Sequence, residues 1–455
     1  MPLSTKNTYT YINNCLNASP DSLKTQQLSG AAAGLTDSSV GCTVATIADL
    51  PAPGLNEGRF IYVTECNSYR YSDGATWTND YDTTQGLAYG LLIGCGSDQY
   101  TAPSGQFNSG NEWTETCTGG SEWKAVGCGG YIRQTAITRT GEIYNWGYRS
   151  AQCGSLCSTS PVQECTSSLT DFCYVVDGEY HSMALKPDGT LWAYGGLGYW
   201  ENFGQNTGKW CNVCCINNCY DACGWSWLDT TYISVGAGNR HTAVVKTDGT
   251  LWTQGLQCRG TGAVPSQGVC YRTCSSPVQE YTSSTNWCCT SIPCGWTVGA
   301  LKTDGTKWGW GNNCFGSLGA NSFTSGHGES SPVQEASLST NWCALHTVCL
   351  AQYMLKTDGT LWGSGWQAYF GGGSGCCRSS PVQELGSATN WCDIGGPLSP
   401  DCQMAITTTN ELYRPCSSGG WCADACAAGK QICGLGGSRG ISWAIEFTCK
   451  GFSEP

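Results

Sequence analysis

Long apolar runs are missing from this 455-residue sequence: none approaches the roughly 20 residues that span a bilayer. The opening stretch MPLSTKNTYTYINN has neither the basic start nor the apolar core of a secretory signal, so export by that route is not expected. Basic charge is scarce too. Against 34 Asp and Glu stand 22 Lys and Arg, a formal net charge of -12, and no basic face is evident to neutralise phosphates, which excludes nucleic acid as the expected partner. Histidine is reduced to 4 residues, too few for paired zinc sites, and no HExxH or phosphate-cradling glycine loop occurs. Neither an enzyme nor a bound cofactor is expected.

Glycine (62), tryptophan (20), tyrosine (22) and cysteine (33) are abundant instead. Aromatics and glycine with few strong helix formers favour short strands and turns, an all-β chain. The phrase LKTDGTLWGSG at 355–365 has near copies ending at Gly195, Gly255 and Gly311, and weaker ones ending at Gly147 and Cys416. Each reads as a β-hairpin, with alternating apolar residues on both sides of an Asp-Gly turn that supplies the positive φ. The turn glycines Gly141, Gly189, Gly249, Gly305 and Gly359, with Asn410 in the sixth copy, are 48 to 60 residues apart, the period of a repeat architecture. A second phrase, SPVQE, recurs at Ser160, Ser276, Ser331 and Ser380. GLAYGLLIGCG from Gly86 and GGSRGISWAIEFTCKG near the C-terminus read as two halves of a seventh unit, which would pair the strand near Leu87 to Ile93 with the C-terminal strand.

Residues 1–84 lack the repeat. Their early part is polar, and GRFIYVTECNSYRYSDGATWTND then alternates as two strands around a polar turn, with a further hairpin at Asp73-Gly74. This stretch resembles a small β-module of phage tail-fibre and related surface proteins. We expect an attachment segment at 1–84, with a small β/extended module, and the repeat body at 85–455.

Over about residues 86–451, the combination of G-x-x-x-H, the hairpin phrase, NNCFGSLG and SSPVQ resembles the repeat family named for the regulator of chromosome condensation. The resemblance implies a seven-bladed β-propeller. GEYHSMAL and GNRHTAVV carry the family's histidine at His181 and His241, whereas other units have Ile132 or Arg133, or Cys294, Cys349 and Cys402, near that place. The resemblance thus implies that a covalent anchor replaces a buried polar one. Trp192, Trp252, Trp308 and Trp362 share one repeat position and are expected to pack between blades. Asp188, Asp248, Asp304 and Asp358 are expected to cap turn N–H groups rather than act as acids. The family's members have many roles, so the fold does not select a function.

The cysteines point to an oxidising environment, where disulfides are favoured over zinc. Cys288 to Cys294 and Cys343 to Cys349 have equal spacing and read as within-blade pairs, with Cys392 and Cys402 in a related place. Cys211, Cys214, Cys215, Cys219 and Cys223 form a cluster whose Cys211-x-x-Cys214 is the one knuckle that could ligate metal. A cysteine load suited to the exterior without a signal fits a virion protein released by lysis. Two stretches break the repeat and are the expected contact surfaces. One is an aromatic insert with Tyr199, Trp200, Phe203, Trp210, Tyr220, Trp225 and Trp227; the other carries Trp366, Tyr369 and Phe370. The competing reading of the insert is a self-packed knot. The expected function is a non-enzymatic virion surface protein, a phage tail or head appendage that binds a host glycan or protein and joins other virion or surface-assembly proteins through residues 1–84. The alternative is a secreted or cell-surface binding module, an adhesin or an inhibitor of an extracellular enzyme. Either would work in the virion or extracellular space, and self-association is left open.

Overall fold

The computed structural model describes residues 43–44, 60–63, 68–71, 91–96, 114–115, 123–130, 133–138, 140–148, 157–163, 170–178, 181–195, 211–212, 232–238, 241–256, 273–292, 297–348, 350–366, 377–397, 403–416, 420–438 and 441–447. The chain divides into two compact units, the first mainly Ala18–Ala88 and the second mainly Tyr89–Pro455. In the first, Phe60–Val63 and Ser68–Tyr71 pair antiparallel, Phe60 opposite Tyr71 and Val63 opposite Ser68, and Thr43–Val44 runs parallel to the former. The alternation around a polar turn thus makes the hairpin it implies. Asp73-Gly74 lies outside the described residues.

The second unit is a seven-bladed β-propeller. Six sheets of four strands follow in chain order, opening with Trp123–Val126, Tyr174–Asp177, Tyr232–Ala237, Trp287–Ser291, Trp342–Val348 and Trp391–Gly395. The seventh is built from both ends of the repeat region. Gln431–Ser438 and Ile441–Phe447 are joined by Leu91–Gly96 and Thr114–Glu115, with Ile441 opposite Gly96 and Glu446 opposite Leu91. The closing strand therefore lies slightly further along than Leu87 to Ile93. Each opening strand touches the next, and Gln431–Ser438 touches Trp123–Val126, so the ring is complete. Pairing the two chain ends in one sheet closes the ring, and the edges that remain are the short outer strands of the blades. Among the described residues the helical element is one 3-10 turn, Ala425–Ala427.

The repeated residues explain how one blade is wired to the next. Gly305 sits at φ +76°, and a Cβ there would collide with the Thr340 carbonyl, so the turn takes glycine. Its own carbonyl accepts the N–H of Trp342, the first residue of the next blade, at 3.0 Å. Gly249 does the same for Trp287, Gly359 for Trp391, Gly189 for Tyr232 and Gly141 for Phe172. Asn410, at φ +63°, keeps the bond to Ile432 without a glycine. The apolar core lies between blades. Ala243, Val245 and Leu251 of blade three pack with Trp287, Val298 and Trp310 of blade four, and Ile137 and Ile143 of blade one with Phe172 and Ala184 of blade two. Each such large side chain contributes roughly 1.5–3 kcal/mol on burial.

Candidate functional site

The repeated polar side chains are engaged inside the fold. Asp188, Asp248, Asp304 and Asp358 each accept from the N–H and hydroxyl of the threonine two residues on. In three copies that threonine in turn accepts from the indole N–H of Trp252, Trp308 or Trp362 at 2.8 to 2.9 Å. The repeat tryptophans pack on clusters drawn from two blades, as their shared position implies. A lysine lies over the rings: Lys302 is 4.6 Å from the Trp287 centroid and 4.5 Å from Trp308, and Lys356 holds the same place between Trp342 and Trp362.

The glutamate of SPVQE is a device that sequence reasoning left without a role. Glu335 is fully buried and accepts from the N–H groups of Ser337 and Ser339 and from the Trp342 indole, whose nitrogen is 3.1 Å away. Glu280 makes the same set with Thr282, Ser284 and Trp287. The end of one blade thereby grips the first tryptophan of the next. His181 is buried and shares a 2.8 Å hydrogen bond with Thr242 of the following blade. Burial holds the pKa of His241 down to about 4, so its imidazole is neutral.

Four residues after Trp123, Phe172, Tyr232, Trp287, Trp391 and Ile432 stand Gly127, Val176, Gly236, Ser291, Gly395 and Gly436, but four after Trp342 stands His346 in blade five. His346 is 5% exposed, its pKa lowered to about 4 by burial, and it lines a cavity of about 20 Å³ with Cys128, Ser291 and Thr347. That volume admits a water or two and no substrate. Among the described residues no three His, Cys, Asp or Glu side chains converge as metal ligands.

The cysteines correct part of the disulfide expectation. Cys288 is disulfide-bonded, and Cys416 pairs with Cys422 across a Cα separation of 5.8 Å. Cys343, expected in an equivalent bridge, is a free thiol. A β-bulge directly after the opening residue inserts Cys343 between Trp342 and Ala344, and Cys392 between Trp391 and Asp393, as it inserts Cys288 between Trp287 and Cys289. There the thiol of Cys343 donates to Leu355 O at 3.4 Å and that of Cys392 to Thr407 O at 3.1 Å; Cys433 repeats the arrangement in blade seven. The Trp-Cys repeat is thus in part a bulge-filling motif. Cys294, Cys349, Cys402, Cys214, Cys215, Cys219 and Cys223 lie outside the described residues, as do Tyr199, Trp200, Phe203, Trp210, Tyr220, Trp225, Trp227, Tyr369 and Phe370. Of the insert, the strand Cys211–Asn212 is described, pairing with Trp192 and Ala193.

Trp366 is the expected contact residue that the structure does place. It is 46% exposed, its N–H held by Leu350 O at 2.8 Å, and its indole stacks on Phe315 with ring centroids 5.3 Å apart and 27° between planes. Phe315 comes from the NNCFGSLG loop of the preceding blade. In the same loop Phe323 is 55% exposed and lies against Gly316. The loop is rigidly seated. Buried Asn313 accepts from Leu318 N–H and donates to Ser322 O, Ser364 Oγ donates to Ser317 O, and Asn321 N–H reaches Ser379 O at 2.6 Å.

Ring closure and blade-to-blade wiring define a seven-bladed propeller of the kind found in regulator-of-chromosome-condensation proteins. Human WBSCR16 has a similar structure, with a TM-score of 0.63 and 14% identity over 79% of this chain and 99% of that one. Yeast RCC1 (Prp20) bound to Kap60 gives 0.63 and 12%, over 80% and 91%. Prp20p of Saccharomyces cerevisiae, studied with Gsp1p and histones, gives 0.61 and 12%, over 82% and 96%. At such identities the likeness is one of fold. No family model matches the sequence.

Proposed function

We propose that the protein is a non-enzymatic binding propeller on the outside of an assembled particle, a phage tail or head appendage, with residues 1–84 joining it to the particle. The observation that carries this reading is how the side chains are used. The recurrent aspartates cap their own turns, the lysines lie over tryptophans of their own blade, Glu335 and His181 bind the next blade, the cavity beside His346 is too small for a substrate, and aromatic rings stand at the surface. A load of 33 cysteines, with bridges at Cys288 and at Cys416–Cys422, supports a setting outside a reducing cytosol. The polar early part of residues 1–84 cannot build a core alone, and a partner subunit would supply the missing burial. The yeast Prp20 propeller is likewise named with protein partners, which suits a binding scaffold. The test is attachment: the full chain should bind particles that lack it, and a chain shortened by residues 1–84 should stay folded yet fail to bind. Equal binding by both would remove the attachment role from that segment.

A further inference from the structure

Trp366 and Phe323 are aromatic and half in solvent, Trp366 at the end of a strand of blade five and Phe323 on the NNCFGSLG loop of blade four. Gly316 and Gly319 have φ of +75° and +71°, and a Cβ on either would press against blade five, at Ser379 or at Pro381 and Ser364. The backbone beneath Phe315 and Phe323 is therefore set before any ligand arrives, and Phe315 stacks on Trp366, which lowers the entropy lost on binding.

Size decides what kind of ligand fits. Two aromatic side chains about half exposed offer on the order of 200 Å², whereas a stable protein partner needs roughly 800 Å² on each side. That area matches one face of a single sugar ring. A polar group for the hydroxyls of such a ligand is carried by the same loop, two residues before Phe323. Asn321 is exposed, and its Oδ1 accepts from Ser380 Oγ at 3.2 Å, which steadies the side chain and leaves its amide N–H groups to donate. The net charge of -12 works against a sulfated or acidic sugar.

Resting on the binding reading above, we infer that the Phe315–Trp366 stack with Phe323 is a platform for one neutral hexopyranose unit of a surface glycan, the sugar's C–H face on the rings and its hydroxyls toward Asn321. Phe315 acts as the backing that orients Trp366, and Trp366 and Phe323 make the contact.

The test uses the full chain on an immobilised panel of neutral gluco-, galacto- and manno-oligosaccharides and their sulfated counterparts, beside intact host cells. The expected result is binding to at least one neutral glycan in preference to its sulfated form. Trp366→Ala and Phe323→Ala should each weaken it at least tenfold with the melting temperature unchanged, and Trp366→Tyr should recover most of it. Glycan binding that survives both alanine changes would overturn the platform, as would binding only to sulfated sugars. Cell binding without any glycan binding would overturn the ligand class while leaving the binding propeller standing; loss of both would remove the binding reading itself.

Discussion

Replacing Lys307 by leucine should stabilise the protein at neutral pH and destabilise it in alkali. Lys307 occupies the first place after the hairpin turn, which is Leu191, Leu251 and Leu361 in neighbouring blades, and it is fully buried. Its ammonium donates to Leu318 O at 2.6 Å, and burial brings its pKa from 10.5 down to about 7, with the Glu335 carboxylate opposing the shift. Above pH 10.5 the amine is neutral whether the chain is folded or not. Between 10.5 and 7 the unfolded chain takes up a proton that the folded chain refuses, so stability falls as pH falls, by about 1.36 kcal/mol per unit. Below pH 7 both states are protonated, and the loss is constant at about 5 kcal/mol. Leucine removes that loss but leaves Leu318 O without its donor, at roughly 1–3 kcal/mol. Lys307→Leu should therefore be more stable than the parent by about 2–4 kcal/mol at pH 6, and less stable by about 1–3 kcal/mol at pH 11. Guanidinium unfolding followed by tryptophan fluorescence from pH 6 to 11 gives both curves. A difference of constant sign and size across that range would refute the buried, depressed lysine.

Two further outcomes follow from the wiring. Glu335→Ala strands the N–H groups of Ser337, Ser339 and Trp342 and should lower stability by about 3 kcal/mol, while Glu335→Gln, which keeps one acceptor oxygen, should lose less than half of that; equal losses in guanidinium unfolding would mean that the hydrogen bonds are not what the carboxylate supplies. Burial pushes the thiols of Cys128, Cys289, Cys343 and Cys433 up to about 12, whereas Cys426 is exposed. Iodoacetamide at pH 8 should modify Cys426 first in the native protein and leave those four untouched until it unfolds, as read by peptide mass spectrometry; early labelling of Cys343 would contradict its place in the bulge.

The fold was legible in the sequence because its strongest signals are local. An Asp-Gly turn demands positive φ at Gly249 or Gly305 whatever surrounds it, and the half-units at Leu91–Gly96 and Gln431–Phe447 could only complete each other. The carboxylates of Asp188, Asp248, Asp304 and Asp358 were readable as caps for the same reason, their partners lying two residues away. What depends on distant partners was not readable. Glu335 meets Trp342 across a blade boundary, and Phe315 meets Trp366 from 51 residues away, so Trp366 was visible as a candidate while Phe315 and Phe323 were not. The thiols of Cys343 and Cys392 show the limit of spacing. The same bulge position recurs with the same period whether its cysteine is bridged, as Cys288 is, or free, as Cys343 is, so spacing does not separate the two.

The account stands most directly on where the protein is found. Particles released by lysis from the producing cells should be banded by density, washed in high salt and quantified by mass spectrometry. We predict peptides of this chain at a fixed ratio to the main shell protein through every wash. Recovery of the chain in the soluble fraction, with none in the band, would contradict a particle-borne binding propeller.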